Sequence, residues 1–326
     1  MRILLGFGLL LLGTAAPLAA QPTRTQDFEA VALPALPGQV DQTTQATDLR
    51  YKQDGYDRMT VPVRIAGYGP FRFLIDTGAD RTAISSDLAR RLRLSDGGGA
   101  RLHSVTEASQ VGTANVPVLD LKAKQVKNVD AALLESKHMG ADGILGLDSL
   151  GSQRILFDFK KETLTIVPSG SYVHEDKDTI VVTARVRNGR LILTQAYADN
   201  APLTLVVDTG AQVSIGNEAL RRRLMKGAVK RSGPVELQSV TGGKLMGEYT
   251  IVRKLTVGGV TLKALPVVFA DSHAFRRLGL DDKPALLLGM NALRSFERVS
   301  IDFARRKLKV VLPEESSLQS RAVALR

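Results

Sequence analysis

Two short motifs of this 326-residue chain each contain an aspartate whose type and spacing are suited to catalysis. Asp76 lies in LIDTGADRTAIS (74–85), and Asp208 lies in TLVVDTGAQVSIG (204–216). In each motif an apolar run of strand type leads a carboxylate into a glycine turn, and a lone buried carboxylate is costly unless another group shares its charge or proton. Two such acids held close together share one proton, so that one is a base while the other is an acid. Such a pair is suited to adding water to an amide, so the sequence predicts hydrolysis of an amide bond.

The two motifs belong to a repeat that extends well beyond them. The spacing of 132 residues that separates Asp76 from Asp208 also separates Arg58 from Arg190 and Leu88 from Leu220. Later in each copy, GILGLDSL (143–150) matches LLLGMNAL (286–293) at a larger spacing. A repeat with one acid per copy can place the two acids face to face across a pseudo-twofold axis.

The periodicity within each copy is mainly that of strands. Segments such as MTVPVRI and LILTQAYA alternate or run apolar between turns, and only short stretches such as SSDLARRL and NEALRRRL read as helices. We therefore predict an all-β fold with two pseudo-symmetric lobes, short helices and a cleft between the lobes. The predicted organisation is a signal peptide (1–20), a leader or pro-segment or loosely added strand (21–56), an N-terminal lobe (57–168), a linker (169–177), a C-terminal lobe (178–313) and a tail (314–326).

The first twenty residues predict export. They run from Met1-Arg2 through an apolar segment to the small residues TAAPLAA, the order of a secretory signal peptide. With no Cys there is neither a lipid attachment site nor a disulfide, and a periplasmic or secreted protein is expected. The alternative is an uncleaved N-terminal anchor in the inner membrane.

The net charge of +11 is spread along the sequence, and few aromatic residues accompany the basic ones, which argues against a nucleic-acid partner.

The two motifs and the late glycine segments make the sequence resemble the aspartic proteases, in particular the retropepsin-like branch. The resemblance covers nearly all of residues 57–313, with two copies fused in one chain as in the two-lobed pepsins. It implies two retropepsin-like β-barrel lobes, with Asp76 and Asp208 as the catalytic pair. It also implies that the late segments at Gly146 and Gly289 support the two aspartate turns from below.

The resemblance also suggests roles for the neighbours of the two acids. Gly78 and Gly210 are expected to donate backbone N–H groups, and Thr77 and Thr209 to lock the two turns together. Substrate contacts are expected from the residues after each glycine and from two flap turns, namely Ala79, Asp80, Ala211, Gln212, Thr106, Thr241 and Gly242. Asp80 matches a position that holds the substrate backbone, whereas its counterpart is Gln212, so that contact is expected on one side only.

No cofactor or metal is expected. The four histidines lack metal-ligand spacing, and nucleotide-binding, serine-hydrolase and zincin motifs are missing from the sequence. The prediction is therefore an exported aspartic endopeptidase that binds an extended protein or peptide, acts as a monomer and works at mildly acidic to neutral pH. The alternative is an envelope peptide-binding module that keeps the cleft and turns over little or nothing.

Overall fold

The structure is a computed structural model, and it describes residues 2–5, 9–11, 47–53, 58–122, 124–151, 153–171, 179–187, 190–224 and 233–313. The tail (314–326) and most of the predicted signal peptide, leader and linker lie outside the described residues. In chain order the strands of the first half are β1 (Arg2–Leu5), β2 (Leu9–Leu11), β3 (Thr47–Arg50), β4 (Lys52–Gln53), β5 (Met59–Ile65), β6 (Tyr68–Ile75), β7 (Ala83–Ser85), β8 (Ser95–His103), β9 (Ala108–Asp120), β10 (Gln125–Leu134), β11 (Gly143–Leu145), β12 (Gln153–Asp158) and β13 (Thr163–Pro168).

The second half repeats this pattern. Its strands are β14 (Thr179–Thr183), β15 (Arg185–Arg187), β16 (Arg190–Ala198), β17 (Ala201–Val207), β18 (Ser214–Gly216), β19 (Gly233–Ser239), β20 (Lys244–Val257), β21 (Val260–Phe269), β22 (Ala285–Leu288), β23 (Arg298–Asp302) and β24 (Lys307–Val311). The helices are α1 (Ser86–Arg91), α2 (Ser136–Met139), α3 (Leu147–Leu150), α4 (Glu218–Leu224), α5 (His273–Arg277) and α6 (Met290–Leu293).

Two nine-stranded sheets have the same strand order: one is built from strands of the first half, and the other from eight strands of the second half together with β1. The N-terminal sheet runs β2-β8-β9-β10-β7-β11-β6-β5-β4, and the C-terminal sheet runs β1-β19-β20-β21-β18-β22-β17-β16-β15. A further pairing, β9 with β5 and β20 with β16, folds each sheet back on itself. The predicted all-β class with two sheet-rich lobes is confirmed.

The apolar pattern explains why these segments form half-buried strands. Along β5, Val61, Val63 and Ile65 are buried, while Pro62 and Arg64 between them are exposed. Such period-two burial packs one face of a strand against the core. The helices are short, with one or two turns each. Helix α1 begins where the Ser85 hydroxyl accepts the Leu88 N–H at 3.1 Å. Asn217 caps α4 in the same way, at the equivalent position of the repeat.

A third sheet, β14-β24-β23-β12-β13-β3, joins the two halves. Its centre is the antiparallel pair β12 and β23, in which Ile155 lies opposite Ile301. Strand β3 lies within the stretch 21–56, for which the sequence leaves a leader, a pro-segment or a loosely added strand open. It pairs with β13, and Leu49 and Tyr51 are buried and contribute to the main core.

The first residues of the chain lie at the edges of the two lobes. Strand β1 pairs with β19, and β2 pairs with β8. Within the described residues no helix is long and apolar enough to cross a membrane.

Candidate active site

Asp76 and Asp208 occupy equivalent turns, each directly after a central strand. Asp76 follows β6 and Asp208 follows β17, and both side chains are buried, with 1% and 0% exposure. The Gly78 N–H donates to Asp76 Oδ1 at 2.7 Å, and the Gly210 N–H donates to Asp208 Oδ1 at 3.0 Å. One oxygen of each acid is thereby fixed by its own turn.

The two turns are locked to each other by their threonines. The Thr77 N–H donates to Thr209 Oγ1 at 3.0 Å, and the Thr209 N–H donates to Thr77 Oγ1 at 3.1 Å. Each hydroxyl donates onward to a carbonyl of the opposite lobe, Thr209 to Ile75 at 2.9 Å and Thr77 to Val207 at 3.4 Å. These reciprocal bonds place a local twofold axis between the two acids.

Gly78 is needed because the turns approach so closely. A Cβ at this position would lie 2.5 Å from Asp208 Oδ1 and 2.9 Å from Asp76 Oδ1. Those distances are well inside van der Waals contact, so only glycine fits without displacing a carboxylate.

The late glycine segments hold the turns from beneath. The Asp76 N–H donates to Leu145 O and the Asp208 N–H to Leu288 O, both at 3.1 Å. After each segment the chain returns a bond, since the N–H groups of Leu147 and Met290 donate to the carbonyls of the two motif alanines at 2.8 Å. These bonds fix the backbone position of each aspartate turn relative to its late glycine segment.

The environment disfavours full ionisation of the pair. Burial raises the pKa of Asp76 well above its usual range, and the neighbouring Asp208 charge raises it further. Burial raises the pKa of Asp208 to about 7, although the Arg190 guanidinium and the Gly210 and Ala211 N–H groups lower it. Because the carboxyls interact directly, they titrate as a pair.

Asp80 lies in an asymmetric charged cluster next to the dyad. It forms an ion pair of 3.7 Å with Arg190, a fully buried residue at the start of β16 in the other lobe. Burial raises the pKa of Asp80 to about 6, whereas the charges of Arg190 and Arg277 lower it. The equivalent C-terminal position holds Gln212, whose carbonyl accepts the Asn291 N–H at 3.0 Å. Sequence reasoning missed Arg190 as a site residue, although its place in the repeat register was a signal.

The two flap turns are exchanged between the lobes. Val105, at the turn after β8, is fully buried in the apolar cluster of the C-terminal lobe, and Val240, at the turn after β19, is fully buried in that of the N-terminal lobe. The turns also meet directly, because Thr106 Oγ1 donates to Ser239 Oγ at 3.2 Å.

The remaining predicted flap residues lie at the second turn. Thr241 Oγ1 lies 2.7 Å from Ser239 Oγ. Gly242 has a φ of +87° and approaches His138 of α2 so closely that a Cβ would lie 2.5 Å from the ring. The structure thus brings the predicted flap residues Thr106, Thr241 and Gly242 to the junction of the lobes.

His103 and His273 are in contact with each other beside the N-terminal flap turn. In the sequence these histidines are far apart and show no common motif. His103 Nδ1 lies 2.8 Å from His273 Nε2 of α5, and the His273 N–H and Ser272 hydroxyl both donate to Val105 O. Burial lowers the pKa of His103 to about 4, and the charges of Arg277, His273 and Arg101 lower it further. The pair is therefore neutral near pH 7, as one ring must accept the shared hydrogen bond.

The fold and the site together define a two-lobed acid protease architecture. A family model described as "gag-polyprotein putative aspartyl protease" matches residues 61–152, and a model described as "Aspartyl protease" matches residues 194–292. Together the two matches span more than half of the chain. The chain belongs to the aspartyl protease family, with two retropepsin-like domains in tandem. No curated protein matched the sequence.

Proposed function

We propose that this chain is an exported aspartic endopeptidase whose dyad is Asp76 and Asp208. One observation carries the proposal. Within the described residues, Asp76 Oδ2 and Asp208 Oδ2 are buried and receive no N–H or O–H donor from outside the pair, while the other oxygen of each acid is held by its turn. A structural carboxylate is normally neutralised by several donors, whereas a pair left with two facing acceptors binds a proton and a water.

The chemistry follows from the shared proton. The ionised carboxylate takes a proton from a water between the two acids, and the water oxygen attacks the scissile carbonyl carbon. The protonated carboxyl donates to the carbonyl oxygen and stabilises the tetrahedral diol. When the diol collapses, the C–N bond breaks and the amine leaves with a proton returned by the dyad. Both acids come from one chain, so a monomer suffices, and no cofactor or metal takes part in these steps.

Activity is expected at mildly acidic to neutral pH. The raised pKa values of both acids keep one proton on the pair up to near neutrality. The resemblance to the two-lobed pepsins implies that Ala79 and Ala211 stand where those proteins have a hydroxyl residue that donates to the ionised form, and fewer such donors mean a higher pKa. A rate maximum near pH 2 would contradict this part of the proposal.

The test begins with the chain produced in a bacterial host with its own first twenty residues. Export predicts that the protein is recovered from the periplasm with an N-terminus near Gln21, whereas an intact Met1 in the membrane fraction would favour the anchor.

The recovered protein is then incubated with casein between pH 3 and 8, with and without a statine-type inhibitor. Inhibitor-sensitive cleavage supports the endopeptidase. A folded protein that binds the inhibitor and cuts nothing favours the peptide-binding module instead.

Gly78→Ala is expected to lower kcat/KM by about 100-fold, the effect of misplacing a reacting group by roughly 1 Å. The added methyl group would overlap Asp208 Oδ1 and force the two acids apart. The matched control is Gly233→Ala, because a Cβ at Gly233 meets no atom within 4 Å. Both rates are measured on one fluorogenic peptide at the pH of maximum activity. A Gly78→Ala enzyme as active as the Gly233→Ala enzyme would show that the close approach of the turns has no catalytic importance.

A further inference from the structure

His103 and His273 lie within a cluster of cationic side chains that the proposed mechanism does not use. His103 is the last residue of β8, and His273 is the first residue of α5. Side chains two apart in a strand lie on one face, so Arg101 shares the face of β8 that carries His103. Side chains four apart in a helix also lie on one face, so Arg277 shares the face of α5 that carries His273. The two arginines therefore flank the histidine pair, one from each lobe.

The electrostatic interactions of the cluster agree with this placement. Burial lowers the pKa of both imidazole rings, and the charges of Arg277 and Arg101 lower both values further. The Arg277 charge also lowers the pKa of Asp80, which lies four residues after the first acid of the dyad. The cluster is therefore continuous with the charged side chains beside the dyad.

Two buried nitrogen atoms of the cluster have no hydrogen-bond partner among the described residues. One is Nε of Arg277. The other is Nε2 of His103, a residue that is only 8% exposed. Buried polar atoms in proteins are almost always bound by a partner, and an orphaned one marks a place where a ligand or water is bound.

The histidine pair can present its unused nitrogen as a donor. His103 Nδ1 lies 2.8 Å from His273 Nε2, so one ring donates in this bond and the other accepts. When His273 donates, the proton of His103 is on Nε2, and the cluster then has two buried N–H groups without an acceptor. An anion selects this tautomer, because the other tautomer turns a lone pair toward it.

The two arginines also lack a carboxylate partner in the described part of the chain. Arg101 and Arg277 form no ion pair and no side-chain hydrogen bond with a described residue. Arg276, the neighbour of Arg277 in α5, is by contrast paired with Asp271 at 2.5 Å. Guanidinium groups match the geometry of a carboxylate and bind it by charge-assisted hydrogen bonds. The ligand that fits this cluster is therefore a carboxylate.

The equivalent positions of the other lobe do not repeat these donors. HSVTE (103–107) corresponds to QSVTG (238–242) in the repeat, so His103 corresponds to Gln238 and Arg101 to Glu236. An acid at the position of Arg101 repels a carboxylate instead of binding it. The cationic cluster therefore belongs to one side of the dyad.

We propose that Arg101, Arg277 and Nε2 of His103 form a subsite that binds an acidic side chain of the peptide substrate. This inference rests on the proposed function, since the ligand is a residue of the extended peptide in the cleft. The carboxylate accepts hydrogen bonds from the guanidinium groups and from the imidazole, and the two arginines balance its charge. The protease is therefore selective for Asp or Glu at one position, on one side of the scissile bond.

The first test measures cleavage of matched fluorogenic peptides by the protein recovered after export. Glu, Gln and Lys are placed in turn at each position around the scissile bond. At one position kcat/KM is expected to be about 10-fold higher for Glu than for Gln, the effect of one hydrogen bond to a charged group, and lowest for Lys. A peptide set in which no position favours Glu would overturn the proposal.

Substitutions in the two lobes assign the preference to the cluster. Arg277→Gln is expected to bring the Glu-to-Gln ratio of kcat/KM to about 1, and Arg277→Glu to make the Lys peptide a better substrate than the Glu peptide. Arg101→Gln should lower the same ratio from the other lobe. A merely structural role of these arginines would lower the rates for both peptides and leave their ratio unchanged.

Arg276→Gln is the matched control, because it removes an equal charge from the same helix at a residue that already has a carboxylate partner. This variant should keep the Glu-to-Gln ratio of the parent. A ratio that falls as far in Arg276→Gln as in Arg277→Gln, or that persists in Arg277→Gln, would overturn the proposal.

A binding measurement separates this inference from the proposed function. In the Asp208→Asn chain, fluorescence anisotropy gives Kd for the same peptides without cleavage. If the parent cuts nothing, but this chain binds a Glu peptide about 10-fold more tightly than its Gln counterpart and Arg277→Gln removes the difference, the proposed function fails and the subsite stands. If the parent cuts peptides and neither rate nor Kd favours Glu, the protease stands and the subsite is overturned. Peptides that are neither cut nor bound would overturn both.

Discussion

Replacing Asp208 by Asn is expected to abolish peptide hydrolysis, with a loss of at least about 1,000-fold in kcat, a size typical of a lost general acid or base. The amide keeps the shape of the carboxyl and can still accept the Gly210 N–H, so the turn should survive. Asp76→Asn should be equally inactive, and the double variant no worse, because the two acids act as one unit. The measurement is single-turnover cleavage of a fluorogenic peptide.

The same substitution should stabilise the fold at neutral pH. The pKa of Asp208 is about 7 in the folded protein against its usual 3.8, so between these values the folded state binds more protons than the unfolded state. Stability contributed by this group is therefore lost as the pH rises from about 4 to 7, and removing the carboxyl should raise the unfolding midpoint at pH 7 and leave it unchanged at pH 3.

Asp282→Asn, at an exposed position, is the control for both readouts and should change neither. Retention of a tenth or more of the parent rate by either single dyad variant would contradict the shared-proton mechanism.

Replacing Arg190 by Met is expected to destabilise the protein by about 3–5 kcal/mol, the cost of removing one partner from a buried ion pair. Arg190 has 0% side-chain exposure and links the C-terminal lobe to Asp80 of the N-terminal lobe. Its charge also lowers the pKa of Asp76 and of Asp208. Its loss should therefore raise both pKa values and move the acidic limb of the pH–rate profile to higher pH. Urea unfolding at pH 7 and the pH dependence of kcat/KM measure the two effects.

Two controls separate the ion pair from simple packing. Arg58→Met removes the repeat-equivalent buried guanidinium, which donates to the Met139 carbonyl, and should destabilise without moving the pH–rate profile. Adding Asp80→Asn to Arg190→Met should recover part of the lost stability, because the uncompensated buried carboxylate is then neutral. A pH profile that shifts equally in the Arg58 and Arg190 variants would rule out a specific electrostatic role for Arg190.

Much of the fold could be predicted because the relevant signals are local or repeated. The apolar pattern of MTVPVRI predicts strand β5, and the capping residues Ser85 and Asn217 precede the two helices that the sequence indicated. The sequence leaves strand β3 as one of three alternatives, because a four-residue segment has too little periodicity to be assigned without its partner β13.

The candidate site likewise has one part that the sequence predicts and another that only the structure shows. The geometry of the dyad follows from two identical motifs, since an approximate twofold repeat alone brings one Asp-Thr-Gly turn against the other. The difference between Asp80 and Gln212 is visible in the chain, but the partners of the residues that break the symmetry could not be read from it. The Arg190–Asp80 pair exists on one side only, because the equivalent of Asp80 is Gln212. His103 and His273 meet across the lobes although 170 residues separate them.

The sequence by itself therefore determined the two acids, the repeat that pairs them and the all-β lobes that carry them, because each depends on residue types at short or repeated spacing. Only the tertiary structure decided which turns are exchanged between lobes, which arginine neutralises Asp80 and which edges the first residues occupy. Those features depend on how the two nine-stranded sheets approach each other. The burial of Val105 and Val240 in opposite lobes is a property of that approach, and no local pattern in either segment encodes it.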